Sequence, residues 1–457
     1  MNTALTPSNA IARVRRPAAA RDGMRRARLD AALVTAIALA LFGYPLAATL
    51  SGFVSANTRD VSLPYRALVA ALTLFIVARA AMRHKPLPLP PYVSALCALC
   101  LAVLTFRFVN DVVMLGLAAG PKQGASEFVV FFFGVTLLPA LALLQPLRAA
   151  QHEAATHALF WVGVLTVGFA VVTLTLLNPE VDTTIRTDAE GLNAITFAST
   201  GALLVMLAWS LPLSRRHRRL SRAVQGGAVA LSLVPLVLGA SKGPIVSLLG
   251  ALALSHLLAA RKFRWPLVAG LALGAAALAG VYEWAATALE SGNALAIVSR
   301  LSDVDADSST VERLVILSSS WGVFVDNPWL GGALVEPLLK AYPHNILLEA
   351  LMVGGIGFGL AVLLLVLAVL TQALRLLRAG AADPFLNFVG MQAVFVISMS
   401  MLSGSLYRSP DFWAAVALVF SCSPRRPARR AARRITTQPP VAPSPPPSPP
   451  PSEAKAQ

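Results

Sequence analysis

Long apolar segments recur along most of the chain and are separated by short polar stretches, many of them basic. A run of about 20 apolar residues is long enough to cross the hydrocarbon core of a bilayer as one helix. Segments of roughly this length cover residues 31–52, 66–82, 92–108, 127–146, 157–177, 194–213, 223–239, 244–260, 265–282, 345–373, 385–403 and 411–423. The pattern predicts an all-α integral membrane protein with about twelve transmembrane helices.

Polar segments divide the chain into three parts. Residues 1–29 form a basic N-terminal segment, residues 30–423 a polytopic membrane domain, and residues 424–457 a tail that is basic and then rich in proline. The composition of the tail predicts disorder or polyproline conformation. Within the membrane domain, we expect one long connection at about 283–343, carrying short helices.

Composition supports the membrane class. Of 457 residues, 56% are hydrophobic and 13% are charged, and a soluble protein of this length cannot bury so much apolar surface. The formal net charge of +16 draws attention to nucleic acid as a partner. However, no basic–aromatic pattern accompanies the charge, and arginines that border apolar segments act as topology signals. Nucleic acid is therefore not expected as a partner.

Basic residues are distributed unevenly between the two sides of the predicted membrane domain. When the N-terminus is placed in the cytoplasm, most of the 38 Lys and Arg residues lie in cytoplasmic segments, as the positive-inside rule requires. The distribution predicts that both termini are cytoplasmic and that the long connection faces outward. Few cations remain on the outer side, and Arg107 and Arg408 are among them.

Four basic residues on the outer side stand close to predicted membrane ends: Arg186, Lys242, Arg313 and His344. Each alone has a structural explanation, as an interfacial side chain or as a partner of a nearby carboxylate. For His344, hydrogen bonding to backbone at the start of a helix is the structural alternative to a catalytic role. Together the four residues indicate a site for a multiply charged anion, such as a lipid-linked pyrophosphate.

The long connection carries helix signals of its own. Ser309 and Glu312 fit a capping box. Apolar residues then follow at helical spacing until Asn327 and Pro328. We therefore expect a helix along the membrane surface that ends at these two residues.

The segment YPHNILLEALMVGGIGFG follows this connection. It begins a long apolar helix, with Glu349 about one turn inside. An acidic residue at this depth is costly and is generally functional or paired. Gly355 and Gly359 have the GxxxG spacing, which predicts close packing against another helix.

The same segment resembles the His-Asn motif and glycine-rich helix of the O-antigen ligase and polymerase superfamily. ASKGPIVSLLGAL is similar to the Ser-Arg-Gly turn of that family. RTDAEGLNAITFA looks like its Arg…Gly…Asn segment, and VERLVILSSSWGVFVDNPWLGG like its Arg…aromatic…Asn-Pro…Gly segment. The resemblance covers about 180–373, with the segments in the order of the family.

The resemblance implies roles for individual residues. His344 matches the essential histidine, and Asn345 and Glu349 are supporting residues. The family usually has an arginine in its Ser-Arg-Gly turn, whereas this chain has Lys242 there. A lysine provides a point charge instead of the planar fork of a guanidinium. The basic positions of the pyrophosphate site fall on Arg186, Lys242 and Arg313.

The resemblance also implies an activity. Members are membrane glycosyltransferases of the GT-C type in the bacterial inner membrane, which need no metal or other cofactor. They transfer a glycan from undecaprenyl pyrophosphate to a hydroxyl on the periplasmic side. An O-antigen ligase is favoured, and its acceptor is lipid A–core. Membrane lipids are its other expected partners. The nearest alternative is an O-antigen polymerase, whose acceptor is a second lipid-linked glycan.

Two further classes are less well supported. A protein O-oligosaccharyltransferase of the same superfamily often carries a large C-terminal periplasmic domain, whereas the tail here is short and basic. A membrane transporter generally shows repeated halves and charged residues near mid-membrane, and little of either is seen in the sequence.

Overall fold

The structure is a computed structural model that describes residues 29–54, 58–82, 88–117, 125–177, 193–211, 218–239, 241–259 and 308–422. All regular elements in these ranges are helical. In these ranges, three helices contain π-helical turns, and the first is α1 (29–54), over Leu39–Gly43. Helix α3 (Pro91–Arg107) continues as a π-helix over Phe108–Met114. Helix α4 consists of Ala125–Val129 and Leu138–Leu143, which are joined by the π-helical residues Val130–Leu137. The others are α2 (Thr58–Ala81), α5 (His152–Leu177), α6 (Ala194–Ser210), α7 (Arg218–Leu238), α8 (Lys242–Ala259), α9 (Ser308–Asp326), α10 (Ile346–Ala379), α11 (Pro384–Ser403) and α12 (Pro410–Ser421).

The described helices match the predicted apolar segments. Seven are long and apolar enough to cross a membrane, and α4, α6, α8 and α12 are shorter apolar helices. The predicted segment 265–282 and the tail lie outside the described residues. The all-helical class is therefore confirmed. The count of twelve spans and the outward-facing connection remain predictions.

Helix α9 lies in the predicted long connection. It ends at Asp326, directly before Asn327 and Pro328, as predicted. Its start at Ser308 precedes the predicted N-cap Ser309 by one residue, a difference within the usual variation of helix ends.

Helix α11 lies at the centre of the bundle, in contact with α5, α6, α8, α10 and α12. Most of its side chains are buried. Asn387 in this helix donates from Nδ2 to Ser210 Oγ (3.2 Å) and accepts from Ser255 Oγ (2.8 Å). These hydrogen bonds tie α11 to α6 and α8, because a buried amide needs partners within the protein.

Two pairs of polar side chains lie at the end of the bundle where α10 ends and α11 begins. Arg148 pairs with Asp30, with its Nε 2.6 Å from the carboxylate. His152 Nδ1 lies 2.6 Å from Asp383 Oδ2. Asp383 also caps α11 and accepts from the Phe385 N–H at 3.0 Å. The opposite end, where α3 and α11 end and α10 begins, carries the candidate site.

Helix α10 is broken by two adjacent glycines. Gly354 has φ −138° and ψ 15°, and Gly355 has φ 70° and ψ −165°. The second combination is essentially restricted to glycine. The prediction that Gly355 and Gly359 together pack closely against another helix is therefore wrong. Gly355 interrupts the helix, and Gly359 faces the Leu351 side chain of the same helix.

Residues 328–333, which we call the docked segment, lie against this break. The Ile356 N–H donates to the Pro328 carbonyl at 2.8 Å, and the Gly332 N–H donates to the Met352 carbonyl at 2.9 Å. Backbone groups released by the break thus find backbone partners. Since lipid offers no hydrogen-bonding groups, such pairing allows a spanning helix to be broken.

We expect Gly355→Ala to destabilise the protein. A Cβ at this position would overlap the backbone carbonyl of Trp329, and the φ and ψ of Gly355 alone cost a residue other than glycine about 1–3 kcal/mol. Gly357→Ala is the matched control, because nothing lies within 4 Å of a Cβ there. Thermal unfolding in detergent should show a lower Tm for Gly355→Ala and an equal or higher Tm for the control. Equal Tm values for the two variants would contradict the described break.

Candidate active site

Arg107, the last residue of α3, holds the docked segment against α10. Its Nε donates to the Val353 carbonyl at 2.7 Å. Its Nη2 donates to the carbonyls of Leu330, at 2.6 Å, and Gly331. One guanidinium therefore binds acceptors on both sides of the contact between the docked segment and the broken helix.

Asp111, one turn beyond Arg107, fixes the chain that leaves the docked segment. This carboxylate is buried, with Oδ1 3.6 Å from Arg107 Nη1. Its Oδ1 accepts from Asn110 Nδ2 at 2.8 Å, and its Oδ2 accepts from the Leu334 N–H at 2.7 Å. The π-helical continuation of α3 is thus bonded to the loop that leads to His344.

Glu336 organises the next part of this loop. Its side chain is fully buried and accepts from the N–H groups of Leu338 and Leu339, each at 2.7 Å. It also accepts from the Ser319 hydroxyl of α9. The Glu336 N–H donates to the Ala341 carbonyl at 2.9 Å. A single carboxylate therefore closes residues 336–341 into a compact turn attached to α9.

His344 follows this turn in an unusual conformation. Its φ is 60°, which is uncommon for any residue except glycine and costs of order 1–3 kcal/mol. Its ring packs against Tyr342, with centroids 4.4 Å apart. Its Nδ1 is buried and has no hydrogen-bond partner among the described residues. Strained backbone and an unpaired buried nitrogen are features that often accompany function.

Asn345, not His344, caps α10. Its Oδ1 accepts from the N–H groups of Leu347 and Leu348, each at 3.0 Å. Its Nδ2 donates to the Met401 carbonyl near the end of α11, at 3.1 Å. The capping role that offered a structural explanation for His344 is therefore filled by its neighbour.

Glu349 lies fully buried in the first turn of α10. Its carboxylate accepts from Ser405 Oγ at 3.0 Å and from the Leu406 N–H at 2.8 Å. These two residues belong to the turn 404–409 between α11 and α12. The same turn carries Arg408, whose guanidinium carbon lies 5.5 Å from the centre of the Tyr342 ring. Glu349 thus acts as a partner of the turn.

Two arginines act on His344 through their charges. Burial, followed by the charges of Arg313 in α9 and Arg408, lowers the pKa of His344 from 6.5 to about 4. The imidazole is therefore neutral near pH 7. Burial also raises the pKa of Tyr342, so its phenol keeps its proton.

The remaining predicted donor-binding residues are less closely defined. Lys242 is the first residue of α8 and is partly exposed. A Cβ on the next residue, Gly243, would lie 3.4 Å from Met399 Sδ, near the end of α11. Lys242 therefore lies at the same end of the bundle as His344. Arg186 lies outside the described residues.

Three residues of the site were not predicted from the sequence: Arg107, Arg408 and Glu336. The two arginines carry a detectable signal, because both are cations on the predicted outer side, where the positive-inside rule expects few. Glu336 carries none, since an acidic residue in a polar connection is ordinary. Only its burial and its backbone partners reveal its role.

This arrangement combines a neutral imidazole with fixed cations. A neutral imidazole accepts a proton from a weak nucleophile, and cations held in place stabilise a departing anion. Within the described ranges, no group of three or more His, Cys, Asp or Glu residues is placed to hold a metal ion. The geometry suits transfer of a group from an anionic leaving group to a hydroxyl.

Residues 227–364 match the family model described as O-Antigen ligase. The match runs from α7 through the break in α10 and includes Lys242, Arg313 and His344. Arg186 and Arg408 lie outside it. No curated protein matches the chain.

We expect Glu349→Ala to loosen the turn 404–409 and to lower stability. The change leaves the buried Leu406 N–H without its acceptor, which costs about 1–3 kcal/mol. Glu349→Gln is the matched variant, because its amide oxygen still accepts from Leu406 and its NH₂ group donates to Ser405. Thermal unfolding should rank wild type, then glutamine, then alanine in descending Tm. An alanine variant as stable as wild type would show that the carboxylate does not hold the turn.

Proposed function

We propose that the protein is an O-antigen ligase, because residues 227–364, which include His344, match the family model described as O-Antigen ligase. It transfers a glycan from undecaprenyl pyrophosphate to a sugar hydroxyl of lipid A–core. The reaction takes place at the periplasmic face of the bacterial inner membrane, with both termini in the cytoplasm. It needs no metal ion and no other cofactor.

The observation that carries this proposal is the state of His344. Its imidazole is neutral near pH 7, and its buried Nδ1 lacks a partner within the described part of the chain. An unpaired buried group of this kind costs about 1–3 kcal/mol, and a bound acceptor hydroxyl relieves that cost. His344 is therefore suited to take the proton of a sugar hydroxyl.

In the proposed step, the acceptor oxygen attacks the anomeric carbon of the donor sugar. A bond forms between this oxygen and C1, the bond from C1 to the pyrophosphate oxygen breaks, and the hydroxyl proton passes to His344. Undecaprenyl pyrophosphate leaves with the bonding electron pair. Direct displacement inverts the configuration at C1.

Stabilising the leaving group is the task of the cations. A lipid pyrophosphate is a good leaving group that needs its growing charge neutralised, and fixed cations at a partly dehydrated surface do this. We assign this role to Arg186, Lys242 and Arg313. Asn345 and Glu349 support the reaction indirectly, because they hold the start of α10 and the turn 404–409.

An O-antigen polymerase is the second candidate, because it shares the superfamily and the donor and differs only in the acceptor. Purified protein reconstituted with lipid-linked glycan and lipid A–core, without nucleotide sugar or ATP, separates the two. Glycan attached to the core supports the ligase, and lengthened lipid-linked glycan supports the polymerase. Absence of both products from folded protein would contradict glycan transfer altogether.

We expect His344→Ala to abolish measurable transfer in this assay. Loss of a general base typically lowers the rate by about 10²–10⁴-fold. His157→Ala is the control, because His157 is exposed on α5 and should leave the rate unchanged. If His344→Ala keeps full turnover, with a Tm equal to wild type, the assignment of the base is wrong.

The pH dependence should differ between the free enzyme and the donor complex. In the free enzyme, activity is lost as pH falls through the His344 pKa of about 4, because a protonated imidazole cannot accept a proton. Bound pyrophosphate offsets the charges of Arg313 and Arg408, which raises this pKa. The acidic limb of kcat should therefore lie at higher pH than that of kcat/KM for the donor. A kcat/KM limb at pH 6.5 or above would contradict the proposed state of His344.

A further inference from the structure

Arg408 acts on the charge of His344, but it is not among the residues assigned above to the pyrophosphate. Its guanidinium carbon is 5.5 Å from the centre of the Tyr342 ring. The Tyr342 ring also packs against the His344 imidazole, with 4.4 Å between the ring centroids. Arg408, Tyr342 and His344 thus form a contiguous row, although Arg408 comes from a different part of the chain.

The turn that carries Arg408 is held firmly. The Ser405 N–H donates to Ser409 Oγ at 2.9 Å, and the Ser409 N–H donates to the Ser405 carbonyl at 3.1 Å. Trp413 Nε1 donates to the Leu406 carbonyl at 2.7 Å. With the bonds to Glu349, these contacts fix the backbone on both sides of Arg408. The position of its backbone is therefore set by the fold.

Within the part of the chain that the structure describes, Arg408 has no ion-pair partner. Glu349 is bonded to Ser405 and Leu406 instead. Arg408 is also only partly exposed, so water screens its charge incompletely. An unpaired cation in this setting attracts an anion.

The contact with Tyr342 leaves the hydrogen-bonding edge of Arg408 available. A contact with an aromatic ring consumes none of the N–H donors of an arginine, and no hydrogen bond between described residues uses the Arg408 guanidinium. That edge matches two oxygens of one phosphate. Tyr342 thus orients Arg408 without consuming its donors.

We propose that Arg408 binds the pyrophosphate of the lipid-linked donor together with Arg313, an inference that rests on the proposed glycan transfer. The two arginines come from separate elements, the turn 404–409 and α9, and both act on His344. In a direct displacement, the attacking and leaving oxygens lie on opposite sides of one carbon. Both oxygens are bound or nearly bound to that carbon, so they lie only a few ångströms apart, and a long arginine side chain near the base can reach the leaving group. Arg408 holds the donor and stabilises the charge that develops on the departing pyrophosphate.

The test measures binding of farnesyl pyrophosphate, a short lipid pyrophosphate without glycan, to purified protein in detergent. Arg408→Gln should weaken binding by about 10- to 100-fold, the usual effect of losing a charged hydrogen-bond partner. Arg408→Lys should keep part of the affinity. Arg219→Gln removes an exposed charge from the first turn of α7 and should bind as wild type does. A Tm close to wild type shows that each variant is folded.

A second variant keeps the arginine and removes its support. Tyr342→Leu should also weaken binding of the probe, because Arg408 loses the ring that orients it. If Arg408→Gln does not fold, Tyr342→Leu and Arg408→Lys still decide between a binding role and a structural one.

A kinetic readout separates loss of a nearby cation from general damage. The charges of Arg313 in α9 and Arg408 in the turn both act on His344. The ring of Tyr342, from the same loop as His344, packs against the imidazole. Glu349 of α10 acts on the pKa of Tyr342. Removing Arg408 takes away one charge that lowers the pKa of His344. Arg408→Gln should therefore raise the KM for the donor and move the acidic limb of kcat/KM to higher pH. A merely structural loss would leave that limb in place.

The outcomes distinguish this inference from the proposed function. If wild type transfers glycan and Arg408→Gln matches it in probe affinity, KM and pH profile, the role of Arg408 is wrong and glycan transfer stands. If wild type neither binds the probe nor transfers glycan, the proposed function fails and the inference fails with it. Weakened binding with a shifted acidic limb supports both.

Discussion

A helix in a lipid bilayer has to satisfy its backbone hydrogen bonds within the protein, and α10 meets this constraint although it is broken. Gly355 adopts a conformation that ends the regular hydrogen bonding, and the docked segment 328–333 supplies partners on both sides of the break. Arg107 binds carbonyls of both segments. This contact fixes where the chain leaves the docked segment, and so it determines the path towards His344.

Three buried acidic side chains also provide hydrogen-bond partners for backbone groups. Asp111, Glu336 and Glu349 each accept from backbone N–H groups of a loop. Their oxygens are engaged in holding the loop before α10 and the turn after α11. Arg313 and Arg408 form no salt bridge with these three residues, and both act on His344. Acidic side chains thus support the loops, and the two cations beside His344 favour an anionic ligand such as a pyrophosphate.

The sequence predicts the class of fold and part of the site, for identifiable reasons. Apolar segment length reveals the helices, and the shortage of outer cations draws attention to Arg313 and His344. The break in α10 is hidden, because Gly355 and Gly359 fit a packing motif equally well. Arg408 is detectable only as an outer cation, because its relation to Tyr342 exists only once α11 and α12 pack beside α10. Arg186 and the segment 265–282 lie outside the described residues and stay predictions.

Glycan transfer from a lipid pyrophosphate requires that the donor's phosphates lie among the arginines beside His344. A cryo-electron microscopy map of the protein with undecaprenyl pyrophosphate tests this requirement most directly. We expect phosphate oxygens about 3 Å from the guanidinium groups of Arg313 and Arg408, with the terminal phosphate, which carries the sugar in the donor, directed at the His344 ring. A pyrophosphate bound elsewhere on the protein, with both arginines unliganded, would contradict the proposed site and mechanism.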